Sequence, residues 1–350
     1  VEGPAATRAN DLVNEIRTQV DTWRKATSTP AGVTYETARL IQHWREQSRE
    51  RPLFFCQVEA AETVIWLTEV ARREPRFKRY WDVVDERSNE ANPGLFRLAM
   101  KLATGAGKTT VMAMLIAWHA INKSRRPNSK TFTDAFLVIA PGITIRDRLR
   151  VLKPEAPDSI YQRLSIVPRD MMDDLRKARI VITNYHAFKK RSKVQIAAGT
   201  KDVLRGREDE DEFAKRFEET EGEMIQRVMG SLMGRKGIIV INDEAHHCYQ
   251  EKPADGDSGE DDSLTRAEEE TDAEAREDAE NNNKAARLWI NGIRTIESVL
   301  GVKQVYDLSA TPFFLRGSGY REGELFRWVV SDFSLMDAIE SGIVKVPRVP

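Results

Sequence analysis

Arg97-Leu98-Ala99-Met100-Lys101-Leu102 reads as a strand that runs directly into Ala103-Thr104-Gly105-Ala106-Gly107-Lys108-Thr109-Thr110, and Val111 to Trp118 reads as an apolar helix leaving that loop. This strand–glycine loop–helix unit constrains the fold more than any other stretch of the chain. Gly105 and Gly107 allow the backbone to bend until its amides face phosphate oxygens. The helix N-terminus adds free N–H groups and a partial positive charge. Lys108 is placed to reach the outer phosphates, and the Thr109 hydroxyl to ligate Mg²⁺. Thr104, Ala106 and Thr110 complete the expected nucleotide-binding loop. A bare flexible turn is the alternative reading.

Beyond the loop, strands and helices alternate. Ala135–Ala140 is a continuous apolar run ending at Pro141-Gly142; Arg179–Thr183 and Gly237–Asn242 are others, and Val305–Ser309 is the last clear one. Runs apolar on both faces, separated by helical stretches, predict a doubly wound parallel sheet covered on both sides. The tail after Phe313 shows no further alternation strong enough for a second sheet. Residues 1–92 read as a helical region. Leu12, Ile16, Val20 and Trp23 recur at helical spacing, as do Ala38, Ile41 and Trp44, and a third helix is expected over Gln57 to Arg72. The α/β domain is expected over 93–350.

The net charge of −1 hides a division. Residues 251–283 carry 14 Asp/Glu against 3 Lys/Arg, so the remainder has 51 basic and 41 acidic residues, an excess of about 10 positive charges. That segment reads as a disordered or weakly helical acidic insert. A basic body with an acidic insert suits a polyanion partner, and the insert is expected to mimic DNA and occupy the basic groove when idle. Residues 201–228 are mixed in charge and partly helical by pattern. Cys56 and Cys248 are the two cysteines, far apart and without metal spacing, so a reducing, cytoplasmic setting is the default expectation. No segment approaches the roughly 18–20 apolar residues of a membrane span.

Two further motifs carry chemistry. The strand ending at Asn242 delivers Asp243-Glu244-Ala245-His246 at its C-terminal end, where parallel sheets bind ligands. Asp243 is assigned to Mg²⁺, and Glu244 to orienting and deprotonating the attacking water. His246 is placed on the γ-phosphate side, where it can pass the nucleotide state to neighbouring segments. Ser309-Ala310-Thr311-Pro312 follows the last strand; the Ser309 and Thr311 hydroxyls are candidates to couple the acidic motif to a neighbouring domain.

These three motifs, in this order, resemble motifs I, II and III of superfamily 2 helicases and translocases, and the acidic one has the letters of the DEAH box. Strict Walker spacing would put glycine where this chain has Leu102, which suits the helicase form of the loop. Over roughly residues 50–350 the chain is most similar to the Res subunits of type III restriction enzymes, above all in Ala140–Leu149 and Ile182–Phe188. The resemblance implies a RecA-like first motor domain that binds ATP, uses Mg²⁺ and moves on DNA. It places Gly142, Thr144 and Arg146, with Thr183, Asn184 and Tyr185, against the nucleic-acid backbone. It makes Gln57 a reader of the adenine edge, with Phe54 or Phe55 packing on the base. A modification methyltransferase subunit is an implied partner. The chain begins at Val1 and ends at Pro350, where a linker to a second, arginine-bearing motor domain would run, so it reads as part of a longer protein. An RNA helicase, a DNA-repair motor and a nucleotide-gated interaction module are the rival readings.

Overall fold

Side chains on successive residues of a strand face opposite ways, and the first strand uses both directions. Leu98, Met100 and Leu102 enter one apolar core, while Arg97 and Ala99 enter the layer behind it. Each strand next to it is apolar on both faces too, so the sheet must be covered on both sides. The computed structural model, which describes residues 4–26, 29–191, 218–250, 252 and 273–345, shows this.

A single sheet of six parallel strands is present among the described residues. The strands are β1 (Arg97–Leu102), β2 (Ala135–Ala140), β3 (Arg179–Asn184), β4 (Ile238–Asp243), β5 (Val302–Ser309) and β6 (Val329–Phe333). Their spatial order is β3-β2-β4-β5-β1-β6. The helices are α1 (Pro4–Ala26), α2 (Tyr35–Arg45), α3 (Phe55–Ile65), α4 (Lys78–Ala91), α5 (Lys108–Arg125), α6 (Ile143–Arg148), α7 (Glu221–Met229), α8 (Ala273–Leu300) and α9 (Leu335–Glu340). Short helical turns occupy 160–163 and 172–175. α3 continues as a π turn over Trp66–Ala71.

The helices α2, α3 and α5 share one core with Leu98, Val138, Ile241 and Leu308 of the sheet. On the opposite face Trp289, Ile293 and Ile296 of α8, with Met224 and Ile225 of α7, cover Leu137, Val240 and Val305. The doubly wound reading therefore holds, with helices at the N-terminus as expected. α1 lies along β6, and the Arg17 guanidinium donates to the Asp332 carbonyl of that edge strand while pairing with Glu59 at 2.7 Å.

Three features go beyond what the sequence singles out. A sixth strand does follow the last apolar run: β6 extends the sheet beyond β1, with Lys101 opposite Asp332 and Leu102 opposite Phe333. Its Ser331-Asp332 pair interrupts the apolar pattern, but Lys101 Nζ meets Asp332 Oδ2 at 3.0 Å, so the acid has a partner. α4 is charged along most of its length and buries only Tyr80, Val84, Ser88 and Ala91. The acidic segment becomes helix from Ala273 onward, as the first turns of α8. Its remainder at 253–272, and 201–217 of the mixed-charge segment, lie outside the described residues.

Behind the rim of the sheet sits a fully buried ion pair. Arg97 Nε donates to Asp307 Oδ2 at 2.8 Å, and both side chains are inaccessible to water. The other guanidinium nitrogens donate to Asn92 Oδ1 at 2.8 Å and to the Cys248 carbonyl at 2.6 Å. Trp289 and Trp328 flank the cation with ring centroids 4.7 and 4.5 Å away. Breaking such a pair leaves a buried charge without a partner, which costs about 3–5 kcal/mol. Arg97→Met is therefore expected to lower unfolding free energy by about that amount in chemical denaturation. A loss below about 1 kcal/mol would mean that the pair does not hold the sheet together.

Candidate nucleotide site

The loop after β1 takes the form its glycines permit. Gly105 and Gly107 have φ of 88° and 87°, and Gly107 is the residue immediately before α5. Thr104 and Gly105 are exposed, Gly107, Lys108 and Thr109 half-buried, and Ala106 and Thr110 buried. The loop is anchored where Ala103 N donates to the Phe333 carbonyl of β6 at 2.9 Å. Thr110 N donates to the Gly107 carbonyl, which starts the helix. Amides in a positive-φ loop at a helix start form an anion-binding concavity.

β4 brings the acids to the same rim, separated from β1 only by β5. Asp243 pairs with Leu308 in the last register of the β4–β5 ladder. Glu244 then turns left-handed, with φ of 50°, a conformation that costs a non-glycine residue about 1–2 kcal/mol. That turn carries its carboxylate back across the rim, where Oε1 meets Lys108 Nζ at 2.8 Å. Loop and acidic motif, 135 residues apart in sequence, thus meet through an ion pair.

The electrostatics follow from burial. Asp243 is 9% exposed, and its carboxyl is pushed up to about 6 by burial and by the adjacent Glu244 charge, against the opposing pull of Lys108. His246 is held neutral, lowered to about 4, chiefly by burial and secondarily by His247. Its Nδ1 lies 3.1 Å from Ser309 Oγ and 3.7 Å from Glu244 Oε2. Ser309 Oγ also accepts from Thr311 N at 3.1 Å. The Ser309 hydroxyl therefore does bridge the last strand to the acidic motif, whereas the Thr311 side chain is exposed.

Gln57 lies against the glycine loop. Its Oε1 accepts from Phe54 N at 3.1 Å, and its Nε2 donates to the Ala106 carbonyl at 2.8 Å. Both ends of the amide are thus engaged by protein, and the side chain is 5% exposed, so it braces the loop at Ala106. The neighbouring Phe55 is exposed and meets Phe333 edge-on at 5.4 Å.

The six residues expected against a nucleic-acid backbone fall at adjoining strand ends, β2 and β3, but they are not equally available. Gly142 and the exposed Thr144 lie at the start of α6. Arg146 is paired with the Asp147 carboxylate next to it at 3.0 Å. Thr183 and Asn184 are buried, and Asn184 Oδ1 caps the following turn by accepting from Ala187 N at 3.1 Å. Tyr185 is half-buried, its ring tilted at 41° to that of His186 with centroids 4.3 Å apart.

Sheet, loop and paired acids together have the form of a RecA-like, phosphate-loop nucleotide motor. The sequence narrows this further: residues 50–313 match the family of the type III restriction enzyme, res subunit, and the chain belongs to that family. The family is one of helicase-like motors of the restriction type. Comparison with curated proteins and with solved structures returned no match. No helix among the described residues is long and apolar enough to cross a membrane.

Gln57 and Gly107 are mutually fitted: a Cβ on Gly107 would lie 2.2 Å from Gln57 Nε2. Gly107→Ala is expected to destabilise the fold through both this clash and the positive φ. In the Gln57→Ala background the clash component disappears and the strain of roughly 1 kcal/mol remains. A thermal-unfolding double-mutant cycle checks this; strictly additive losses would show that the two residues do not touch.

Proposed function

We propose that this chain is the ATP-binding first motor domain of a DNA translocase of the restriction type. The observation that carries the reading is the Lys108–Glu244 pair, which joins the phosphate loop to the acidic motif at the C-terminal rim of the sheet. A triphosphate entering the loop competes for Lys108, because its oxygens offer the ammonium more negative charge than one carboxylate. Glu244 is then released from the lysine and becomes free to accept a proton from water. The same event that seats the phosphates thus uncovers the base.

The donors at the rim suit a hard divalent cation: the Thr109 hydroxyl and the Asp243 carboxylate are oxygen ligands. Asp243 is buried beside a second carboxylate, and burial first, then the Glu244 charge, raise its pKa against the pull of Lys108; a cation placed there would relieve both. Mg²⁺ bound there supplies charge neutralisation on the phosphate oxygens. His246, neutral and held by Ser309, connects the acidic motif to the end of β5, the route we assign to coupling. The arginines that complete such sites come from a second motor domain in motors of this kind, so turnover by this chain alone is expected to be slow.

The polyanion partner is proposed to be duplex DNA, held by backbone contacts from Gly142, Thr144, Arg146 and Tyr185 along the β2 and β3 ends. A modification methyltransferase subunit is the proposed protein partner, and nuclease association and a role in phage defence belong to the same reading.

Lys108→Ala is expected to weaken ATP binding by roughly ten- to hundredfold, read by titration calorimetry. Glu244→Gln is expected to bind ATP at least as well, since it releases Lys108, yet to lose roughly a hundredfold or more in turnover. Unchanged binding in the first variant, or unchanged turnover in the second, refutes the assignment. In the intact protein duplex DNA should stimulate turnover; stimulation by RNA alone would move the chain to the RNA helicases.

A further inference from the structure

The residue just before the two acids is a buried asparagine, and both ends of its carboxamide are used. Asn242 Nδ2 donates to Asp307 Oδ1 at 2.7 Å, and Asn242 Oδ1 accepts from Trp289 Nε1 at 3.0 Å. The side chain is fully buried. It therefore ties the end of β4 to β5 on one side and to α8 on the other. Asp307 is itself immobilised from behind, by Arg97 Nε at 2.8 Å and by Trp328 Nε1 at 2.7 Å.

The place of this link along the strand gives it leverage. Asn242 stands opposite Asp307 in the register, and only one more pair, Asp243 with Leu308, follows before the ladder ends. Glu244 then enters the left-handed region, so no sheet hydrogen bonding fixes the chain beyond Asp243. Among the described residues Asn242 is thus the last side-chain anchor on β4 before the acids. Along a strand side chains alternate, so an anchor on the α8 face leaves Asp243 directed to the α5 face, where Lys108 lies. A small rotation of the strand end would move both carboxylates relative to the phosphate loop. Reacting groups displaced by about 1 Å can lose two orders of magnitude in rate.

We propose that Asn242 and Trp289 are positioning residues for the hydrolytic step, setting where Asp243 and Glu244 stand relative to Lys108. This rests on the reading of Glu244 as the base. It differs from a purely structural role, because the network contains a built-in control. Trp289 and Trp328 flank the same guanidinium and each donates one indole N–H into the same buried cluster. Only Trp289 donates to Asn242; Trp328 donates to Asp307 instead.

The test compares Trp289→Phe with Trp328→Phe in the whole chain. Each keeps an aromatic ring and deletes one buried N–H donor. Both should lower the melting temperature similarly. Trp289→Phe should reduce kcat for ATP roughly ten- to hundredfold with KM within about twofold, and Trp328→Phe, which keeps both hydrogen bonds of Asn242 and the Arg97–Asp307 pair, should lower kcat at least about fivefold less, also with KM within about twofold. Equal kcat in the two variants, whether both retained or both lost, overturns the proposal, as does a change confined to KM. Should Trp289→Phe fail to fold, Asn242→Ala reads the same split between kcat and KM. Lys108→Ala is measured in parallel. If turnover of the unaltered chain does not depend on Lys108, the catalytic reading itself fails and the positioning role falls with it. If turnover does depend on Lys108 and the two tryptophan variants behave alike, only the positioning role is lost.

Discussion

Arg97 and Asp307 are two full charges with no access to water, and the structure is arranged around keeping them satisfied. A buried charge is tolerated only when its partners and hydrogen bonds are complete. Arg97 lies on β1 and Asp307 on β5, and their partners come from further elements: Asn92 after α4, Cys248 after the acidic motif, Trp289 of α8 and Trp328 before β6. Each partner can reach the pair only in one relative placement of its element. The pair therefore selects one packing of sheet and flanking layers from the many that would bury the same apolar area, a specifying role polar networks can fill when every member is bonded. The nucleotide rim stands directly above it.

At that rim the groups hold opposed demands in balance. Burial raises Asp243 and lowers His246, while Glu244 keeps Lys108 close. The helical N-terminus contributes to the site directly. Through Gln57 it braces the loop at Ala106, and it shares a continuous core with α5 and the sheet.

Much of this was legible in the amino-acid order. The glycine loop, the acidic tetrad and the five apolar runs are local patterns, and each strand formed where its run predicted. β6 escaped because five residues containing Ser331 and Asp332 carry little periodicity, and their partner Lys101 is far away in sequence. α4 escaped because its buried positions are few and spread through charged residues. Thr183, Asn184 and Gln57 were assigned to ligands because hydroxyl and amide side chains are equally able to cap turns and brace loops. The capping and bracing contacts that Asn184 and Gln57 make are properties of the folded chain.

By itself the sequence determined a phosphate loop between strand and helix, an acidic motif at a later strand end, and the alternation that makes the sheet parallel. These follow from short-range geometry: backbone freedom at glycine, side-chain alternation along strands, and helix polarity. Only the tertiary structure decided that Lys108 faces Glu244, that Gln57 turns inward to the loop, and that Asn242 anchors the acids to Asp307 and Trp289. Those contacts join residues 47 to 136 positions apart. Their formation depends on which strands become neighbours, and a buried ion pair that must be fully bonded fixes that choice.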